Sequence, residues 1–115
     1  MDLRLVVLRT SEPQKLANFY KLLGLEFEYH QHGNSPFHYS AKIGETILEI
    51  YPLAKNQELA DKNLRLGFGI DNFDGTIQHL KGLKIPFSLE PKETEFGFIA
   101  IISDPDQRKI ELYRK

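Results

Sequence analysis

A chain of 115 residues, with 15 Lys and Arg against 16 Asp and Glu and a formal net charge of -1, is long enough for one compact domain and lacks the basic cluster of a nucleic-acid-binding protein. The absence of cysteine excludes disulfides, thiolate metal sites and a cysteine nucleophile, and it fits a reducing compartment. The longest apolar runs are only strand-sized, and charged residues interrupt the first segment. The sequence therefore favours a cytoplasmic protein with neither nucleic acid nor a membrane as partner.

Residues 1–53 are predicted to form a β-α-β-β-β module. The stretch LRLVVLR at 3–9 is short and rich in Val and Leu, as a strand should be. Ser11 and Gln14 then form an S-x-x-Q capping box, which predicts the start of a helix, and Gly24 ends that helix. Three further strands are predicted at 25–31, 36–43 and 46–52, with turns at Gly33-Asn34 and Gly44-Glu45.

A polar crossover at 54–63 leads into a second module, at 64–115, with the same predicted order. Asp71 or Asn72 is expected to cap its helix, and Gly82 closes it. Strands are predicted at 64–70, 85–90, 96–103 and 108–114, the last of them after a turn at Asp104-Pro105-Asp106. The fold class is therefore α+β, with both modules in a single domain.

Two pairs of residues support the duplication. Glu49 in ILEIY and Glu111 in KIELY lie 62 positions apart, while Arg4 in LRLVV and Arg65 in LRLGF lie 61 positions apart. Each glutamate stands among strand-forming residues, and a carboxylate is costly to bury without a compensating partner. The nature of that partner is the main question about function.

Two segments resemble motifs of a known family. SEPQKLANFYKLLGLEF after the first strand and SDPDQRKIELY at the last strand resemble those of the vicinal oxygen chelate superfamily, which includes glyoxalase I, extradiol dioxygenases, fosfomycin-resistance enzymes and bleomycin-resistance proteins. The resemblance implies that each module curls its mixed sheet around a cavity with helices on the outer face. It also implies a homodimer.

In the metal-using members of this superfamily, a His or similar ligand stands near the start of each module's first strand and a Glu on each last strand. Carried over by position, the glutamates match Glu49 and Glu111, whereas the first-strand positions match Arg4 and Arg65. Arginine stays protonated and offers no lone pair to a metal. A guanidinium about 5 Å from a divalent cation also costs about 7 kcal/mol at an effective dielectric constant near ~20. No cofactor is therefore expected, the alternative being divalent Ni, Zn, Mn or Fe on the two glutamates.

Strand alternation predicts which side chains share the site. The resemblance implies that the two glutamates and two arginines converge in one cavity, and Gly67 and Gly69 beside Arg65 are expected to leave room for a ligand. The candidate catalytic residues are Glu49 and Glu111, and the candidate ligand-binding residues are Arg4, Arg65, Tyr51, Tyr113, Lys109 and His38. Such a quartet suits a structural salt-bridge cluster, a site for a carboxylate or phosphate, or a general base beside a polarising guanidinium.

The segment HQHGNSPFH places His30, His32 and His38 around one predicted hairpin. The first two are an H-x-H pair that would share a strand face and chelate a transition metal. A solvated cluster that binds metal only adventitiously is the favoured interpretation. His38 would instead share the polar face of its strand with Ser40 and Lys42 and reach the cavity mouth.

The sequence thus predicts a protein that binds a small polar molecule, an anionic one included, in a cavity without the family's usual metal site. The alternative is a metal-dependent lyase, isomerase or dioxygenase of the same superfamily, so catalysis itself stays open. A third hypothesis is a purely structural or interaction module.

Overall fold

The computed structural model describes all 115 residues, and their contacts divide them into two compact units, Met1–Asp61 and Lys62–Lys115. Each unit has the predicted β-α-β-β-β order, so the α+β fold class is confirmed, whereas the assignment of both units to a single domain stays a prediction. The elements are β1 (Leu5–Thr10), α1 (Pro13–Lys21), β2 (Glu28–His30), β3 (His38–Ile43), β4 (Thr46–Pro52), β5 (Leu66–Ile70), α2 (Phe73–Gly82), β6 (Phe87–Thr94), β7 (Gly97–Ser103) and β8 (Lys109–Arg114).

Both units contain a four-stranded mixed sheet with equivalent topology. The strand orders are β1-β4-β3-β2 and β5-β8-β7-β6. In each sheet the first strand pairs parallel with the last, and the remaining pairs are antiparallel. A parallel pair needs a long crossover connection, while antiparallel neighbours need only a hairpin. The helix and the two hairpins of each module supply these connections.

One face of each sheet is apolar and lies under a helix. Leu48 and Ile50 on β4 are almost fully buried, and α1, which contacts this strand, buries Leu16 and Tyr20. The corresponding residues in the second unit are Ile110 and Leu112 on β8 and Ile77 and Leu80 on α2. Each such side chain stabilises the fold by roughly 1.5–3 kcal/mol. The opposite face of each last strand carries the glutamate, as the alternation predicts.

The two helices begin differently. In α1 the N-cap is Glu12, which has no side-chain capping bond, so the predicted capping box at Ser11 and Gln14 is wrong. The helix starts one residue too late for Ser11 to cap it, and the Thr10 hydroxyl instead accepts a hydrogen bond from the Glu12 amide at 3.2 Å. In α2 the cap is Asn72, whose side chain accepts a hydrogen bond from the Gly75 amide at 3.3 Å.

A buried ion pair closes the connection between β7 and β8. Asp104 and Arg108 are 2% and 1% exposed. Asp104 Oδ1 accepts hydrogen bonds from the amides of Asp106 and Arg108, and the guanidinium donates to Asp104 Oδ2 at 3.1 Å and Asp106 Oδ2 at 2.9 Å. Burial by itself would lower the pKa of Arg108, but the hydrogen bonds and charges of Asp106 and Asp104 outweigh burial and raise that pKa. The turn that the sequence predicts at Asp104-Pro105-Asp106 is thus held by side chains.

Neither helix is long and apolar enough to cross a membrane.

Candidate functional site

The register of the first sheet decides which side chains accompany Glu49. Ser40 on β3 lies opposite Glu49, and His38, two residues earlier, lies opposite His30 on β2. Residues paired across a sheet share a face. The face that carries Glu49 therefore also carries two histidines, and His32, just beyond β2, joins them.

These four side chains form a compact imidazole and carboxylate group, which we call the His/Glu group: His30, His32, His38 and Glu49. Their potential metal-ligating atoms all lie within 4.8 Å of one another. Glu49 Oε2 is 3.3 Å from His38 Nε2 and 3.9 Å from His32 Nε2. The three imidazole rings also contact one another, with centroids 4.5 to 5.0 Å apart.

His38 is the most constrained member of the His/Glu group. Its side chain is completely buried, and its Nδ1 lies 3.0 Å from the carbonyl oxygen of Pro36. Because a carbonyl only accepts, Nδ1 carries the proton. The ring stacks on Tyr51 with centroids 4.2 Å apart, and the Arg9 guanidinium lies 4.9 Å from the centroid of the Tyr51 ring. His38 shares the strand face of Ser40, as expected, but its side chain is fully buried and does not lie at the cavity mouth.

Two buried nitrogens in the His/Glu group lack a hydrogen-bond partner: Nε2 of His30 and Nε2 of His38. A buried polar atom without a partner costs about 1–3 kcal/mol. Moreover, the neutral His38 tautomer presents a lone pair at Nε2 to a carboxylate oxygen, which also only accepts. A cation between the two atoms would remove this conflict.

Three members of the His/Glu group, His30, His32 and Glu49, lie in the wall of a cavity of about 780 Å³ within the first unit. The cavity is lined by Gly24, Glu26, Phe27, Glu28, His30, His32, Ser40, Ala41, Lys42, Ile47 and Glu49. Its charged lining residues are three carboxylates and a single ammonium group. This balance favours a ligand that is polar and brings hydrogen-bond donors or positive charge.

Arg4 does not compensate Glu49, contrary to the sequence-based expectation. It precedes β1, is largely exposed, and donates from Nε to Asp2 at 2.9 Å. The register aligns Val7 with Glu49, so the face of Glu49 carries the odd-numbered residues of β1. Arg4 is even-numbered, so strand alternation places it on the side of Leu8, which is the buried face under the helix.

The second module matches the expectation closely. Arg65 Nε lies 2.6 Å from Glu111 Oε2, and the Tyr113 hydroxyl donates to Glu111 Oε1 at 2.5 Å. The hydrogen bond from Tyr113 lowers the pKa of Glu111, and that from Arg65 lowers it further, against the opposing effect of burial. In return, the bond to Glu111 raises the pKa of Tyr113. This carboxylate is fully compensated by side chains of its own module.

The room expected beside the glycines of β5 is filled. A Cβ added at Gly67 would stand 3.0 Å from a ring carbon of Tyr113, and one at Gly69 would stand 3.1 Å from the Lys115 side chain. A smaller pocket of about 270 Å³ lies beside Arg65 and includes Lys109 in its lining. Of the ligand-binding residues predicted in this module, Arg65 and Lys109 thus border a small basic pocket, whereas Tyr113 occupies the space over Gly67.

The family's usual metal ligands are not matched by the first strands of this chain. Arg4 and Arg65 are guanidinium donors engaged with Asp2 and Glu111. Neither can coordinate a metal ion. These residues therefore do not fit the family's four-ligand metal site.

Sequence reasoning found every member of the His/Glu group but did not place them together. The sequence pattern groups Glu49 with the arginines and places the histidines around a hairpin of their own. The signal that joins them is the register: Ser40 aligned with Glu49 brings His38 beside the carboxylate.

Comparisons with known proteins agree with this architecture. A family model described as the Glyoxalase/Bleomycin resistance protein/Dioxygenase superfamily matches residues 3–112. No curated protein is significantly similar to the chain in sequence.

Solved structures share the fold at low sequence identity. TnmS3, an antibiotic binding protein from Streptomyces sp. CB03234, is 24% identical with a TM-score of 0.79, over 99% of this chain and 95% of that one. The oxidase ChaP-H2 is 16% identical with a TM-score of 0.80, over 100% and 94%. A glyoxalase/bleomycin resistance protein from Streptomyces sp. CB03234 is 24% identical with a TM-score of 0.75, over 98% and 100%. With its paired modules and a family model spanning nearly its whole length, the chain belongs to the glyoxalase, bleomycin resistance protein and dioxygenase superfamily.

Proposed function

We propose that the protein binds a small polar molecule in the cavity of its first module. The single observation that carries this proposal is the cavity of about 780 Å³, which has charged, imidazole and apolar groups in one lining. Ligand sites typically combine an apolar wall with a few polar groups that fix orientation. The three carboxylates Glu26, Glu28 and Glu49 face a single ammonium group, that of Lys42.

The charge of the lining selects among ligands. The arginines that would have taken an anion are engaged elsewhere, Arg4 with Asp2 and Arg65 with Glu111. An amine or a neutral molecule rich in donors therefore suits this cavity better than a carboxylate or phosphate. An anionic ligand would find its charge complement in the basic pocket at Arg65 and Lys109 instead.

The names of two structural neighbours support small-molecule binding as the function. TnmS3 is an antibiotic binding protein, and another neighbour is a glyoxalase/bleomycin resistance protein. A second candidate function, a metal-dependent lyase, isomerase or dioxygenase of the superfamily, is favoured by one observation, the His/Glu group in the cavity wall. Both candidates place the ligand in the same cavity.

The test is a binding screen by NMR with ¹⁵N-labelled protein and three probe sets of similar size: primary amines, neutral amides and carboxylic acids. Amines and amides are expected to shift amide resonances at 26–30 and 40–42. A Glu26→Gln variant should weaken amine binding about threefold, the effect of one partly exposed ion pair. Glu45→Gln, an exposed glutamate in the turn between β3 and β4 and outside the cavity, is the matched control.

Two results would contradict the proposal. One is the absence of saturable shifts with all three probe sets. The other is a preference for carboxylic acids with shifts centred on Arg65 and Lys109, which would move the ligand to the basic pocket.

The proposal includes a homodimer, which the resemblance implies, and a cytoplasmic location, which the composition favours. Light scattering coupled to size-exclusion chromatography is expected to give twice the chain mass of 13.3 kDa. A monomeric mass at micromolar concentration would remove the dimer from the proposal without affecting the cavity.

A further inference from the structure

We propose that His30, His32, His38 and Glu49 form a binding site for one divalent first-row transition-metal ion, on the β2–β3 hairpin and β4 of the first module. The site differs from the superfamily's usual ligand set, because three of its four ligands come from the hairpin segment and none from a first strand. It does not rest on the proposed function, since the metal is measured without any small molecule.

The donor atoms already stand near coordination distance. An ion bound at about 2.0–2.2 Å by imidazole nitrogen and carboxylate oxygen in a tetrahedral site separates its donors by about 3.3 Å. His38 Nε2 and Glu49 Oε2 are 3.3 Å apart, His32 Nε2 and Glu49 Oε2 are 3.9 Å apart, and no pair in the group exceeds 4.8 Å. Small side-chain rotations would bring the remaining donors to that distance.

The imidazoles are oriented for coordination through Nε2. His38 Nδ1 donates to the Pro36 carbonyl at 3.0 Å, and His30 Nδ1 lies 3.8 Å from Glu28 Oε2. A carbonyl or carboxylate on the far nitrogen is the arrangement that fixes the tautomer of metal-ligating histidines. In His38 this arrangement leaves the lone pair of Nε2 facing Glu49 Oε2, whereas the Glu28 carboxylate is an ion-pair neighbour of His30 Nδ1 beyond hydrogen-bond distance.

A second and independent observation points to a cation at this place. The side chain of His38 is fully buried, and its Nε2 has no hydrogen-bond partner although it faces Glu49. The buried Nε2 of His30 is also without a partner. The side chains around these two nitrogens range from fully buried His38 to largely exposed His32, with Glu49 13% exposed between them.

The donor set defines the class of ion. Three imidazole nitrogens and one carboxylate oxygen, without thiolate, suit Zn²⁺, Fe²⁺, Co²⁺ or Ni²⁺ and do not suit Ca²⁺ or Mg²⁺, which prefer oxygen ligands. His30, His32 and Glu49 line the cavity. A bound ion would therefore stand in the cavity wall, where a small molecule contacts it.

The experiment uses the full chain produced without a polyhistidine tag and freed of metal with a chelator. Zn²⁺ and Co²⁺ are titrated by calorimetry, and Co²⁺ binding is also followed by its visible absorption spectrum. One ion per chain is expected, with a Co²⁺ spectrum typical of nitrogen and oxygen ligands. Removing one ligand by His32→Gln or Glu49→Gln should weaken Zn²⁺ binding at least about 100-fold, since even outer-sphere changes cost 10–100-fold.

Two controls keep the result interpretable. His79→Gln, an exposed histidine on α2 outside the group, should bind Zn²⁺ like the wild type. His38→Gln removes a buried ligand and risks misfolding, so its circular dichroism spectrum must match before its affinity is used. His32→Gln carries no such risk, because the side chain is largely exposed.

Binding that is not stoichiometric, or that survives unchanged in both the His32→Gln and the Glu49→Gln variant, would overturn the site. Failure here is distinguishable from failure of the proposed function. The NMR screen is run on metal-free protein with amines and amides, and its diagnostic variant is Glu26→Gln, which lies outside the His/Glu group.

Discussion

The two modules place a glutamate at equivalent positions of their last strands and compensate it in different ways. Glu111 is held between Arg65 and Tyr113, at 2.6 and 2.5 Å. Glu49 is surrounded by imidazoles, with His38 Nε2 at 3.3 Å and without hydrogen-bond geometry. A guanidinium keeps its charge at all relevant pH values, whereas a neutral imidazole has a free lone pair.

The glutamate of the second module therefore accepts hydrogen bonds from side chains, whereas the glutamate of the first module has imidazole neighbours without hydrogen-bond geometry. In the second module the carboxylate has its cation and its hydroxyl donor, so binding a further ion would require displacing both. In the first module two buried imidazole nitrogens lack a hydrogen-bond partner, and the carboxylate of Glu49 has only imidazoles beside it, at 3.3 and 3.9 Å. Duplication of a module thus preserves the position of an acidic residue while the neighbouring side chains decide what it binds.

The largest difference in unfolding free energy between equivalent substitutions in the two modules is expected at the turn before each last strand. The β3–β4 turn contains exposed Gly44 and Glu45, whereas the β7–β8 connection is built on the buried pair of Asp104 and Arg108. Asp104→Ala should destabilise the protein by about 3 kcal/mol, because it removes a carboxylate that pairs with a buried guanidinium and accepts from two backbone amides. Glu45→Ala should change stability by less than about 0.5 kcal/mol.

Urea unfolding followed by circular dichroism measures both variants. An Asp104→Ala protein as stable as Glu45→Ala would show that the buried ion pair does not hold the second hairpin.

The helix starts provide the next contrast. Asn72 caps α2 through a hydrogen bond to the Gly75 amide, while Ser11 makes no capping bond to α1. Asn72→Ala should therefore cost about 1 kcal/mol, the usual value for a lost N-cap. Ser11→Ala should be nearly neutral in the same unfolding measurement. Equal losses for the two variants would mean that Ser11 does cap its helix in solution.

The order of the elements and the buried face of each sheet could be predicted because both depend on local pattern. Alternation in ILEIY and KIELY puts Leu48, Ile50 and their counterparts on one face whatever the rest of the chain does. The contact between Arg65 and Glu111 followed from the same pattern, since the arginine directly precedes β5 on the face of Glu111.

The error at Arg4 shows how sensitive such predictions are to a single residue. The arginines are 61 positions apart and the glutamates 62. A shift of one residue exchanges the two faces of a strand, so an arginine matched to Arg65 by its position in the motif lies on the face opposite Glu49. The parallel register of Val7 with Glu49 resolves the assignment.

The meeting of Glu49 with the histidines could not be predicted from local pattern. It depends on the register of β2 against β3, which is set by the loop at 31–37 and places His30 opposite His38. Turn residues such as Gly33 indicate a hairpin but do not specify the length of its loop. The meeting of Glu49 with the three histidines therefore depends on strand register, which no local sequence motif specifies.

The smallest expected effect concerns the acid dependence of the second site. The folded pKa of Glu111 is lowered, chiefly by the hydrogen bond from Tyr113 and also by Arg65. Its contribution to stability is therefore fully present above the ordinary value of 4.5 and is lost as the pH falls through the lower folded pKa. Because the Arg65 side chain is 50% exposed, solvent screening limits the contribution to less than about 1 kcal/mol.

Glu111→Gln should accordingly lower the unfolding free energy slightly at pH 7, and the gap to wild type should close as the pH falls below 4.5. Spectrophotometric titration should also show a lower pKa for Tyr113 in this variant, because the carboxylate that raises it is gone. Glu95→Gln, an exposed glutamate in the turn between β6 and β7, is the control and should change neither quantity. A gap that stays constant between pH 7 and pH 3 would show that the Glu111 carboxylate is not compensated by Arg65 and Tyr113, and the contrast with Glu49 would lose its basis.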